Sequence, residues 1–147
     1  MLRKRPSISL AVLALAAAVV LAGCSGDKSI NRDQAESEIR SAHSFAAESE
    51  LFLEFVLQGQ APQHYAEDHT AYLEEAVEKS AKELKEDVPQ PEVKHSVRDC
   101  QIGLDTLARE LSGIRTAIAG NDKNALTSAL KRITAIRKSL ERAKAHL

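Results

Sequence analysis

PEVKHSVRDCQIGLDTLARELSGIRTAIAG, residues 91–120, decides the architecture. Within it Val93, Val97, Cys100, Leu104, Leu107, Leu111, Ile114 and Ile118 recur at alternating spacings of 4 and 3. An α-helix turns once every 3.6 residues, so these eight side chains form one unbroken apolar stripe. The intervening residues are mostly charged or small. The stretch predicts an amphipathic helix with one buried face.

Its flanks are punctuation. Val88-Pro89-Gln90-Pro91 forces extended backbone before each Pro. Gly120-Asn121-Asp122 sets a C-terminal Gly beside two residues that cap helix starts well. A third mark, Gly59-Gln60-Ala61-Pro62, joins a Gly that suits a helix end to a Pro that suits a first turn. These marks divide the chain into helical segments at approximately 31–59, 62–87, 91–119 and 122–146. The fourth carries Leu126, Ala129, Ile133, Ile136, Leu140, Ala143 and Leu147 on one face, with Leu130 alongside. The first carries Ile39, Ala42, Ala46, Ser49, Leu53 and Val56. The second has a weaker stripe of Tyr65, His69, Leu73, Ala76 or Val77, Ser80 and Leu84. No run alternates like a strand.

Four amphipathic helices of matched length with short links predict an all-α, antiparallel up-down-up-down four-helix bundle over residues 31–147. The other reading treats Pro62 as a kink and fuses the first two segments into one helix of ~85 Å. Half of its apolar stripe would then lack a partner within the chain.

The N-terminus has a different pattern. Arg3, Lys4 and Arg5 precede a run from Ile8 to Ala22 in which Ser9 is the only polar residue, and no acid appears before Asp27. A basic start and a short apolar run describe a secretory signal. Its 15 residues fall short of the ~20 that a spanning helix needs. The run ends in Leu21-Ala22-Gly23-Cys24. Here the chain resembles the bacterial lipoproteins, whose lipobox is Leu, a small residue, Gly or Ala, then Cys. All four positions match, and the resemblance covers residues 1–25 only.

The resemblance implies a signal peptide at 1–23, diacylglycerol transfer to the Cys24 thiol, cleavage between Gly23 and Cys24, and fatty acylation of the new amino group, with palmitate the expected chain. Residues 24–30 then form the lipidated Cys and a tether. Each buried methylene contributes ~0.8 kcal/mol, so two or three chains make a lasting membrane anchor. Ser25 follows the Cys where Asp often signals inner-membrane retention. The expected location is therefore the outer membrane, facing the periplasm, if the organism is Gram-negative.

Loss of residues 1–23 removes three of the 20 basic residues and none of the 21 acidic ones, leaving a net charge of −4. Residues 27–87 carry −9 and residues 88–147 carry +5. Such asymmetry can signal nucleic-acid or membrane binding. Export argues against nucleic acid, and the plainer reading is that the two halves pack together and compensate.

Bundles often hold metals or haem between their helices. Covalent haem needs Cys-x-x-Cys-His, which is absent, and residues 24–147 hold no Met to complete a His/Met pair. A dinuclear carboxylate site needs two Glu-x-x-His motifs, and only Glu92/His95 exists, off the apolar stripe. His69 is the one His expected to face the core, which leaves it as the weak candidate for a ligand role. His64 lies five residues away, about 140° around the helix, and cannot share an ion with it. Cys100, inside the stripe, reads as a small hydrophobe. Gly103 and Gly113 mark close helix approach or local weakness. No arrangement suggests catalysis, and no cofactor is expected.

Two surfaces remain. The fourth helix sets Lys131, Arg132, Arg137, Lys138, Arg142 and Lys144 against Glu141 alone over that stretch. The first helix holds all three Phe, and Leu51-Phe52-Leu53-Glu54-Phe55-Val56-Leu57 is apolar almost all round. Phe45 and Phe52 project near the edge of its core stripe. Leu51 and Phe55 project at about 120° and 160° from Ile39, on the opposite side. A bundle core needs one face per helix, so Leu51, Phe52 and Phe55 are the candidate partner-binding residues. The expected function is a lipid-anchored binding module for an envelope protein or a second copy. The alternative is a periplasmic bundle carrying a small ligand or metal through His69.

Overall fold

The computed structural model describes residues 29–147. The signal at 1–23, the lipid acceptor Cys24 and the tether up to residue 28 lie outside them. The described chain is four packed helices: α1 (Arg32–Leu57), α2 (Gln63–Glu86), α3 (Lys94–Ala119) and α4 (Lys123–Ala145). Two short strands accompany them, β1 (Ser29–Ile30) and β2 (Val88–Pro89). None of these helices is long and apolar enough to cross a membrane.

Local chemistry sets the ends. Asn31 opens α1 with a reciprocal capping box: its Oδ1 accepts from the Gln34 N–H, and its own N–H donates to Gln34 Oε1, both at 3.0 Å. Asp122 opens α4 by accepting from the N–H groups of Asn124 and Ala125 at 3.1 and 3.0 Å. Gly59 closes α1 at φ +70°, a conformation that costs Gly little. That turn breaks the helix before Pro62, so the fused 85 Å helix does not form. At the end of α3 the left-handed residue is Asn121, φ 50°, and Gly120 stays helical. Asn tolerates that region because its short polar side chain bonds locally. The third helix also starts later than residue 91, since Pro91 to Val93 form a turn.

The strands were not expected. Ser29 pairs with Val88 and Ile30 with Pro89 in a parallel ladder, and the Gln90 N–H donates to the Ile30 carbonyl at 3.0 Å. The two prolines supply the cause, because each drives the residue before it into extended backbone. Ile30 is buried in the core, so the last two tether residues belong to the folded body.

All eight stripe residues of 91–120 are buried, as are Leu126, Ala129, Ile133, Ile136, Leu140 and Ala143 of α4. On α1 the stripe holds from Ala35 to Leu53, and Val56 is only partly buried. On α2 the expectation fails at Tyr65, His69 and Ser80, each of which gives its place to the next residue. Ala66, Thr70, Leu73, Val77, Ala81 and Leu84 face the core, while Tyr65 is exposed and His69 only partly buried. The stripe is rotated by one residue there. Thr70 can be buried because its hydroxyl donates to the Ala66 carbonyl at 2.7 Å, which satisfies its one polar group. Small residues at 66 and 70 let the helix approach its neighbours, and the rings of Tyr65 and His69 fall to one side.

α3 packs along both α2 and α4, and α1 packs chiefly along α4. The α1–α2 seam is the loosest of the four around the bundle. The aromatic side chains sit there.

Candidate functional site

Phe52 of α1 is the centre of the α1–α2 seam. Its ring meets His69 edge to face with centroids 4.4 Å apart, and Tyr65 at 6.1 Å. His69 in turn stacks on Tyr65 at 5.6 Å and lies 6.1 Å from Tyr72. Edge-to-face and offset pairs each contribute about 0.5–1.5 kcal/mol beyond burial. The four rings make a continuous aromatic surface over two helices. Of these rings Tyr72 is 64% exposed and Tyr65 51%, and the neighbouring Leu51 and Phe55 are 68% and 41% exposed. Leu51, Phe52, Phe55 and Tyr65 line one shallow groove with Ser44, Ala47 and Glu48.

His69 was expected to face the core. Its side chain is instead 22% exposed at the rim of this groove, with Nε2 3.4 Å from Glu48 Oε1. The cause is the rotated stripe of α2. Among the described residues Glu48 is the one carboxylate within 4.0 Å of it, and no three His, Cys, Asp or Glu groups gather as metal donors. His64 pairs with Asp68 at 3.3 Å and His95 with Asp99 at 3.5 Å, both on the surface.

Cys100 is fully buried. Burial, and secondarily the Glu38 carboxylate, pushes its thiol up to about 12. A thiolate is needed for nucleophilic chemistry, so Cys100 is held inert.

The charge asymmetry is partly spent on contacts between the halves. Glu50 of α1 accepts from the Thr134 hydroxyl at 2.7 Å and from Arg137 of α4. Burial works against that carboxylate, but the two hydrogen bonds and the Arg137 charge outweigh it and hold it below the usual range. Arg115 lies 3.3 Å from Glu74, and Lys85 2.9 Å from Asp105, joining α2 to α3. Within the basic half, Arg132 is tied to Glu110 at 2.7 Å, joining α3 to α4.

The grooved seam remains strongly one-signed. No Lys or Arg occurs between residues 41 and 78, where eight carboxylates do. Glu54, Asp68 and Glu75 stand three residues beyond Leu51, Tyr65 and Tyr72, on neighbouring positions of the same helices.

Reading one stripe per helix brought out Leu51, Phe52 and Phe55 but missed Tyr65 and Tyr72. The signal was present: Tyr65, His69 and Tyr72 repeat at 4 and 3, a second stripe beside Ala66, Thr70 and Leu73. Comparison with protein-family models, curated proteins and solved structures finds no match for this chain.

Proposed function

We propose that this chain is a lipid-anchored envelope lipoprotein whose helical domain works as a binding module, with the α1–α2 aromatic seam as its docking face. The observation that carries the reading is that, among the described residues, four of the six exposed large hydrophobics, Leu51, Phe55, Tyr65 and Tyr72, gather on this seam, with Val88 and Ile102 apart from it. A contiguous apolar surface rimmed by polar groups marks an interaction site more often than chance exposure does. The rim is acidic, so the partner is a protein surface that offers apolar side chains flanked by Lys or Arg.

The up-down-up-down course of the helices belongs to the same proposal. It is supported by the β1–β2 ladder, which sets the start of α1 beside the link after α2, and by the Phe52–Tyr65 contact near the other end. It is also supported by the contacts of α4, where Thr134 and Arg137 meet Glu50 while Glu141 and Lys144 share a hollow with Arg40 and His43. On this course Phe52 sits ~30 Å along α1 from its tethered start. An anchor on Cys24 thus leaves the docking face clear of the attachment point and within reach of a periplasmic or cell-surface protein.

A Leu51→Ser, Phe55→Ser double variant tests the docking face. It should keep its helicity and lose a protein that the wild type crosslinks to in cells. Retention of every crosslink by a folded variant would refute the docking face. A second copy as the occupant would appear as a dimer in size-exclusion mass that the variant loses. For the anchor, Cys24→Ala should release or misprocess the chain. A variant cleaved after Gly23 and still membrane-bound would show that the anchor is not Cys24.

A further inference from the structure

The opposite flank of the domain carries a second surface. α4 holds seven Lys and Arg against Glu141 alone. Two of them turn to neighbours, Arg132 to Glu110 and Arg137 to Glu50. Lys131, Lys138 and Arg142 are exposed, and among the described residues none of them pairs with a carboxylate. Projected from Ile133 in the core, they fall at about 160°, 140° and 180°, a single stripe along the outward face. Asn124, Ser128, Ala135 and Ser139 lie among them, all small or uncharged. The nearest acids flank the stripe rather than interrupt it. Glu141 and Glu50 lie toward α1, Glu141 near Lys144 and Arg40 and Glu50 paired with Arg137 though within range of the Lys138 charge, and Asp99 of α3 is engaged with His95.

Position sharpens this. α4 packs on α3 and α1, so its outward face looks away from the acidic α2 and its aromatic rings. The C-terminal part of α4 shares a hollow with the first half of α1, through Arg40, His43, Glu141 and Lys144. Cys24 stands five residues before Ser29, at most ~17 Å of extended chain. We propose that the Lys131–Lys138–Arg142 stripe is a lipid-phosphate contact that lays the tethered domain on an anionic bilayer, α4 down and the aromatic seam outward. Its setting rests on the Cys24 anchor, but the contact itself is tested without lipid on the protein. The mature chain has net charge −4, so bulk electrostatics oppose the binding and only a local stripe can produce it.

The test uses the unacylated chain from residue 24 onward with Cys24→Ser, which contains the whole described core. Vesicles of phosphatidylcholine with one-third phosphatidylglycerol should bind it, and pure phosphatidylcholine should not. High salt should abolish the binding. A Lys131→Gln, Lys138→Gln, Arg142→Gln variant of unchanged circular dichroism should bind about a hundredfold more weakly, near fivefold per charge. Leu51→Ser, Phe55→Ser should bind as wild type does. Equal binding to both vesicles, or salt-insensitive binding, would overturn the proposal, as would an unaffected triple variant. Binding to soluble polyphosphate without binding to vesicles would name a phosphate polymer as the ligand and also overturn it. Fractionation of Cys24→Ala scores the anchor separately.

Discussion

Leu140 of α4 lies so close over Gly103 of α3 that a Cβ added at Gly103 would stand 2.7 Å from Leu140 Cδ2 and 3.2 Å from its Cγ. Leu140 is itself buried, so its Cδ2 and Cγ can yield to such an atom only by repacking within the core. Gly103 is what allows the two helices their separation at this level. Gly113, on the same helix, is exposed and has nothing within 4 Å of such an atom.

The two glycines should therefore respond oppositely to Ala. Gly113→Ala should stabilise by roughly 0.5–1 kcal/mol, the helix-propensity difference alone. Gly103→Ala gains the same propensity but overpacks the α3–α4 contact, which costs about 1–3 kcal/mol. Its net effect should be destabilising. Urea unfolding of both variants checks this, and equal stabilisation would mean that α3 and α4 are not held together at Gly103.

Two carboxylates on α1 should give opposite pH dependences. Glu50 is held below the usual range by its partners on α4 despite burial. Its stabilisation is present above the unfolded value of ~4.3 and is lost as pH falls through the lower folded value. Glu38 is pushed up by burial first, then by Glu83 and Asp87. Its charge destabilises the fold above its raised value, and that cost vanishes as pH falls toward ~4.3. Glu50→Gln should thus be less stable than wild type at pH 7, and Glu38→Gln more stable. The Glu38→Gln difference should close first on acidification, and the Glu50→Gln difference at lower pH. Urea midpoints across that range decide it.

The Cys100 thiol, buried and pushed up to about 12, should not react with a thiol reagent at pH 8 while the chain is folded. In the Cys24→Ser chain, one equivalent should react, and only after denaturant is added. Rapid labelling of the native protein would mean that the α3 core opens readily.

The four helices were legible because large aliphatic residues carry their period: Leu104, Leu107 and Leu111 cannot be placed in water without cost, so their spacing reports a face. The start of α2 was misread for the converse reason. Ala66 and Thr70 are small and carry little of that signal, and their larger neighbours Tyr65 and His69 fit a 3.6 period equally well. Only packing distinguishes the two stripes. Asn121 replaces Gly120 as the left-handed residue because several short residues can end a helix. The Ser29–Val88 pairing is a contact between segments far apart in sequence, which no local pattern encodes. Leu51 and Phe55 stood out as apolar residues beyond the need of one core. Tyr72 did not, since a lone Tyr on a polar helix face is ordinary until His69 is seen beside it.

Phe52 separates the core from the docking face, and its truncation should tell the two apart. Its ring is partly buried against the core and bridges to Tyr65 and His69. Full enclosure of a Phe makes truncation to Ala cost about 3–5 kcal/mol. With part of its surface in water, Phe52→Ala should cost less, about 2–3 kcal/mol. Leu51 and Phe55 are exposed, so Leu51→Ser, Phe55→Ser should cost only about 1 kcal/mol in all, most of it helix propensity. Tyr72→Ser should lie within ~0.5 kcal/mol of wild type. Urea unfolding gives the order of these costs. A double variant that costs as much as Phe52→Ala would place Leu51 and Phe55 in the core, and any loss of binding in that variant would then reflect unfolding. Small costs at Leu51, Phe55 and Tyr72 with a large one at Phe52 would leave an aromatic surface exposed at little consequence to the fold, which is the condition a docking face must meet.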